Sequence, residues 1–223
     1  MLAFPAPSPI TVAIEGGERF PVRRVFCVGR NYAEHAREMG HDPTREPPFF
    51  FSKPADALVM DGTDTPYPPA TGDLHHEVEL VVALGKGGEA VAPEAAQELI
   101  FGYAVGIDLT RRDLQGEAKK AGRPWDMAKG FDHSAPIGTI RPMGDMPTGR
   151  IALSVNGTLR QEGRVSDMIW NIPEIIAALS RLVALKPGDL IFTGTPAGVG
   201  PLERGDSILA EIEGVGQLQT RIV

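Results

Sequence analysis

The stretch DLHHEVELVVALG, residues 73–85, decides how this chain must fold. Val78, Leu80, Val81, Val82, Ala83 and Leu84 read as a buried strand, yet Glu77 and Glu79 sit within it. Side chains alternate along a strand, so the two glutamates project from one face. Two neighbouring carboxylates repel, and burying either one without a partner costs on the order of several kcal/mol. Two kinds of positive partner satisfy such a pair: Arg or Lys side chains, or a divalent cation. Oxygen ligands favour hard cations such as Mg2+, Mn2+ or Ca2+. A third acid is then wanted. Asp108 is the best placed, at the end of the apolar run YAVGID. His75 and His76 are adjacent, so they point to opposite sides and cannot both be ligands.

Around this strand the chain reads as a single domain, 1–223, of mixed α/β class dominated by strands. Its 26 glycines and 20 prolines imply many turns. Residues 1–20 read as an extended N-terminal segment. VRRVFCVG is a strand. RNYAEHAREMG is a short helix over 31–39, with Asn31 as N-cap and Gly40 as stop. FFFSKPADALV is a strand interrupted at Pro54. APEAAQELIFG, RRDLQGEAKKAG and IPEIIAALSRLVALKPGD read as helices, the last with an apolar stripe at Ile172, Ile175, Ile176, Leu179 and Leu182. Asn156-Gly157 between alternating segments marks a hairpin.

Composition narrows the function. The 223 residues are 42% hydrophobic and carry a formal charge of -7, with no run of Lys or Arg longer than two. A nucleic-acid binder normally shows a basic face, so small molecules or proteins are the expected partners. No stretch reaches the roughly 18 apolar residues of a membrane helix, and the N-terminus lacks a secretory pattern. A cytoplasmic protein is expected. The single cysteine, Cys27, lies in an apolar run and reads as a packed hydrophobe.

Two further constellations carry chemistry. His35 and Glu38, three apart on a helix, share a face. A carboxylate beside an imidazole fixes its tautomer and raises its basicity. FTGTPAGVG, residues 192–200, lacks the Gly-Lys-Ser/Thr of a phosphate loop. Its glycines instead let backbone N–H groups approach a small anion.

Taken in order, CVGRNYAEHAREMG, FFFSKPADALV, DLHHEVELVVALG, YAVGIDLTRRDLQ, AKGFDHSAPIG, VNGTLRQEG and LIFTGTPAGVGPL resemble the fumarylacetoacetate hydrolase superfamily along nearly the whole chain. The similarity is greatest to its small acylpyruvase-like subgroup, especially bacterial fumarylpyruvate hydrolases of gentisate breakdown. The resemblance implies a mixed β-sandwich or β-roll core, a homodimer and a catalytic Mg2+ or Mn2+, with Ca2+ as a substitute. It implies Glu77, Glu79 and Asp108 as metal ligands, and His35 with Glu38 as a water-activating dyad on a lid helix. It implies Lys129 beside the metal, Arg112 and Gln115 facing the substrate, and Thr195 meeting its carboxylate. Larger members add an N-terminal domain supplying a further metal acid. No equivalent acid occurs here, which leaves that position to water or substrate. The expected reaction is cleavage of fumarylpyruvate to fumarate and pyruvate. Oxaloacetate decarboxylation and 2-hydroxyhepta-2,4-diene-1,7-dioate isomerisation or decarboxylation are the alternatives on one site, and a non-catalytic Ca2+-stabilised binding module is the alternative of a different class. For the distal end of a fumaryl chain, Arg30, Arg111 and Arg123 are all candidates.

Overall fold

In the computed structural model of the protein, residues 1–38 and 46–223 are described. Strand alternation sets the architecture. All seven residues of Val78–Leu84 are buried, so this strand lies in the middle of a sheet covered on both sides. That sheet has eight strands. Its path runs Phe49–Lys53, Arg24–Gly29, Asp189–Phe192, Val78–Leu84, Ile100–Ile107, Ala135–Ile137 and Leu58–Met60, with Arg141–Pro142 also pairing on Ile100–Ile107. The pairs Arg24–Gly29 with Asp189–Phe192, and Ala135–Ile137 with Leu58–Met60, are parallel, and the others antiparallel. This mixed sheet excludes a simple alternating parallel fold.

Each face of the sheet has its own core. Val78, Leu80, Val82 and Leu84 pack with Ile151, Leu153, Ile208 and Leu218. These partners come from a second, antiparallel four-stranded sheet, in the order Thr158–Arg164, Arg150–Val155, Ser207–Ile212 and Gly216–Arg221. Val81 and Ala83 face the other way, towards Val12, Phe20, Cys27 and Phe192. The result is a strand-dominated sheet-on-sheet core. The hairpin turns at Asn156 (φ 51°) and Gly157 (φ 76°), both left-handed as a type I′ turn requires. Cys27 is buried, and burial pushes its thiol up, as for a packed hydrophobe.

Thr11–Ala13 and Arg19–Pro21, two extended strands of the N-terminal segment, pair as a small hairpin. Other local expectations are corrected. Pro93–Leu99 is 3-10 rather than α-helical. Ile100 is already in its strand, which leaves too few residues for a stable α-helix. The last helix covers only Ile172–Ser180, started by the Asn171–Glu174 capping box. Beyond it the backbone of Leu185 is used to pair with Gly88. The helix at His35 is described over Ala33–Glu38; Met39 and the expected stop at Gly40 lie outside the described residues.

Asn31 is not an N-cap. It is fully buried and its side-chain amide donates to the carbonyls of Trp170 (2.9 Å) and Thr193 (2.8 Å), while its oxygen accepts from the Trp170 N–H (2.7 Å). It fastens the end of Arg24–Gly29 to two distant segments. No helix among the described residues is long and apolar enough to cross a membrane. Replacing Asn31 with alanine strands the backbone groups it serves. The Asn31→Ala protein is expected to lose about 2–4 kcal/mol, seen by calorimetry as a melting temperature lower by about 5–12 °C.

Candidate active site

The register of two strands assembles the acids. Val78 pairs with Ile107 and Glu79 with Gly106. Asp108, one residue beyond, donates its N–H to the Glu77 carbonyl at 2.8 Å. Glu77, Glu79 and Asp108 are buried, and one carboxylate oxygen from each lies within 4.8 Å of the others. They share the face of Val81 and Ala83, at the sheet end nearest the turn Gly194–Gly200.

Three cations answer them. Arg112 donates to Glu77 Oε1 at 2.6 Å, and Lys129 donates to Glu77 Oε2 at 2.8 Å and to Asp108 Oδ2 at 2.6 Å. Lys53 Nζ lies 2.8 Å from Asp108 Oδ1, though at an angle too poor for a hydrogen bond. Burial alone would raise the Glu77 carboxyl. Lys129 and Arg112 outweigh it and hold that carboxyl well below the usual range. Lys129 is itself disfavoured by burial, but Asp108 and Glu77 keep its ammonium charged beyond the ordinary range.

Glu79 differs. It has no cationic side chain in ion-pair reach among the described residues, and accepts one bond, from the Gly194 N–H at 2.7 Å. Burial, then Asp108 and Glu77, push its carboxyl well up. A buried carboxylate raised by two others is what a divalent cation relieves. Three carboxylate oxygens at this spacing suit Mg2+ or Mn2+, so the residues fit such an ion.

His35 lines the same cleft as Glu77 and Glu79, with Arg30, Arg112, Gln115 and Thr195. Its Nδ1 is 3.3 Å from Glu38 Oε2. Burial lowers its pKa below the ordinary 6.5, and Glu77 and Glu38 only partly offset this. Gln115 is buried and its Oε1 accepts from Arg112 Nη1 at 2.8 Å, which fixes the guanidinium between Gln115 and Glu77.

The glycine-rich turn works differently from the expectation of a bare anion cradle. Its anions are the chain's own: the Gly194 N–H serves Glu79, and the Gly198 N–H lies 3.2 Å from both oxygens of Glu38. Both glycines have left-handed backbones, φ 99° and 93°, and a Cβ would strike Asn31 at 2.6 Å or the Arg160 carbonyl at 2.1 Å. Of the distal candidates, Arg30 reaches the cleft. Arg111 stacks on Phe131 and donates to the Met127 carbonyl, and Arg123 lines a neighbouring cleft behind Phe49, Phe51 and Trp125.

Two positioning residues escape a reading by motif. Lys53 ends an aromatic strand, and nothing in its spacing points to Asp108. Gln161 is fully buried on the hairpin. Its oxygen accepts from the Val78 N–H (3.0 Å) and lies 2.9 Å from His76 Nδ1. Its amide donates to Thr195 Oγ1 (2.8 Å) and the Pro196 carbonyl (2.9 Å). The only signal was a polar residue at an inward position. His75 faces Asp73 instead, at 2.8 Å, so the two histidines do point apart.

Known proteins share this arrangement of strands. The structure superposes on fumarylpyruvate hydrolase from Pseudomonas aeruginosa, solved in complex with Mn2+ and pyruvate, with a TM-score of 0.97 and 50% identity over 100% of this chain and 99% of that one. The mitochondrial oxaloacetate tautomerase FAHD1 of Mus musculus is 45% identical over 203 residues, 90% of this chain and 91% of the relative. Oxaloacetate tautomerase YcgM of Escherichia coli is 44% identical over 208 residues, 92% and 94% of the two chains. Residues 24–223 match the fumarylacetoacetate (FAA) hydrolase C-terminal family, and to that family the chain belongs.

Proposed function

We propose that this protein is a metal-dependent hydrolase of acylpyruvates, acting on fumarylpyruvate to give fumarate and pyruvate in gentisate breakdown. One observation carries the reading: His35, held against Glu38, lines the same cleft as Glu77 and Glu79, the two glutamates that close on Asp108 in a buried acid triad. The half-identical fumarylpyruvate hydrolase supports the choice of substrate.

Glu77, Glu79 and Asp108 would hold Mg2+ or Mn2+, with Ca2+ as a substitute, and the bound ion supplies Lewis-acid polarisation of the 2-oxo acid. Arg112, fixed by Gln115, and Thr195 orient the pyruvate end. His35 Nδ1 faces Glu38, which leaves Nε2 free to take a proton from water. That water attacks the acyl carbonyl carbon. Collapse of the adduct breaks its bond to the central methylene, and the electron pair passes into a pyruvate enolate. The Lys129 ammonium is preorganised beside the developing negative charge. The proton held on His35 then returns to the methylene carbon, giving pyruvate. The second product is the acid, fumarate. We take the active form to be a homodimer in the cytoplasm.

A second reading has its own support in the oxaloacetate tautomerase relatives. Tautomerisation or decarboxylation of oxaloacetate needs the same enolate stabilisation but no attacking water. Ultraviolet loss of fumarylpyruvate, with Mg2+ and then with EDTA, beside an oxaloacetate assay separates them. Chelator-sensitive hydrolysis is expected; turnover of oxaloacetate alone would move the function to that substrate.

Glu77→Ala or Asp108→Ala is expected to abolish metal-dependent turnover while sedimentation still reports a dimer. Normal activity after exhaustive chelation would remove the ion from the mechanism. His35→Ala is expected to cut hydrolysis by about 10²–10⁴-fold with Mn2+ still bound by electron paramagnetic resonance. The facing groups are Glu77, Glu38 and Arg112, and burial dominates them, so the imidazole stays neutral to lower pH than an unperturbed one. The acidic limb of kcat/KM is therefore expected below 6.5 and absent from the residual activity of His35→Ala.

A further inference from the structure

The cations of the cleft divide into two groups. Arg112 and Lys129 pair with the acids Glu77 and Asp108. Arg30 and Lys119 line the same cleft, and neither has an acid in ion-pair reach among the described residues. Each is held by a ring instead. The Arg30 guanidinium lies 5.3 Å from the centre of Phe49, and the Lys119 ammonium 5.1 Å from that of Trp125. These rings pack edge to face at 5.5 Å. Contact with a ring face steadies a cation but leaves its charge unmatched.

Several features show that the arrangement is built. Arg30 has φ 56°, a left-handed backbone that is unfavourable for arginine and recurs where a site over-determines the chain. A Cβ on Gly29 would fall 1.9 Å from the Phe49 ring, so only glycine lets that ring lie over the strand. Lys119 is half-buried; burial, Arg112 and Arg30 all disfavour its charged form. An anion entering between Arg30 and Lys119 would relieve both.

On the proposed function, Arg112, Gln115 and Thr195 orient the pyruvate end of the substrate. We infer that Lys119, with Arg30, forms a second anion subsite across the Phe49–Trp125 wall, which selects acylpyruvates bearing a distal carboxylate over those with a neutral acyl chain. The wall gives the carbons between the two ends an apolar surface. This inference rests on the acylpyruvate reading and adds the residues that choose among acylpyruvates.

The test compares kcat/KM for fumarylpyruvate and for acetopyruvate, whose acyl group is a methyl ketone, in the wild type, Lys119→Met and Lys119→Arg. The preference for fumarylpyruvate is expected to fall by about tenfold or more in Lys119→Met and to be largely restored in Lys119→Arg. A preference ratio unchanged within about twofold overturns the subsite. Binding keeps the test separate from the hydrolase reading. With Mg2+ present, calorimetry compares 2-oxoadipate with 2-oxohexanoate, which has the same length and no distal carboxylate. If the wild type hydrolyses neither acylpyruvate, the hydrolase reading falls, while a preference for 2-oxoadipate that is lost in Lys119→Met still supports the subsite. Equal binding of the two acids by the wild type overturns it.

Discussion

Three carboxylates brought together inside a sheet set the terms for the rest of this molecule. Like charges about 5 Å apart cost on the order of 3 kcal/mol per pair at an effective dielectric near 20. Glu77, Glu79 and Asp108 make three such pairs. The fold answers from three separate segments: Lys53 from the aromatic strand, Arg112 from the helix Arg112–Ala121, and Lys129 from the short helix Asp126–Lys129. These cations are shared unevenly. Among the described residues, Asp108 takes two lysines, Glu77 a lysine and an arginine, and Glu79 only a backbone N–H. The shortfall at Glu79 leaves a buried carboxylate unmatched, which on the proposed function a divalent ion makes good.

The acids stand together because of strand parity. Even-numbered residues of Val78–Leu84 face the second sheet, so Glu77 and Glu79 take the opposite side with Val81 and Ala83. A one-residue slip of register would send both glutamates into the apolar layer of Leu153 and Ile208. The price of that slip keeps the register fixed, and a fixed register holds Asp108 beside Glu77. Burial of the strand and geometry of the site are therefore one constraint.

This logic explains what was legible in the sequence. Glu77 and Glu79 were readable because period-two alternation is local. So were the Asn156-Gly157 hairpin, from its turn chemistry, and the helix in RRDLQGEAKKAG, whose last residue, Gly122, adopts the left-handed C-cap. Lys53 and Gln161 were not, because their partners lie 55 and 34 or more positions away and are met only through sheet order. Asn31 misled for a related reason. Asparagine before a helix is a good local cap signal, yet three tertiary hydrogen bonds outbid it. Pro93–Leu99 misled because the adjoining strand claimed the residues a longer helix needed.

The glycine-rich turn ties the acid triad to the His35–Glu38 pair. Gly194 binds Glu79 from the acid triad, Thr195 is pinned by Gln161, and Gly198 binds Glu38, the partner of His35. Gln161 also holds the N–H of Val78, between the two glutamates. Through Glu38, His35 is thus referenced to the same short backbone segment as Glu79. A shift of that segment would move the imidazole and Glu79 together. On the proposed function, their relative placement decides whether His35 can take a proton from a water beside the acyl carbonyl. A conformationally restricted turn is the economical way to hold that placement. Its two left-handed glycines permit close approach to Asn31 and Arg160, and those contacts leave the turn little freedom of its own.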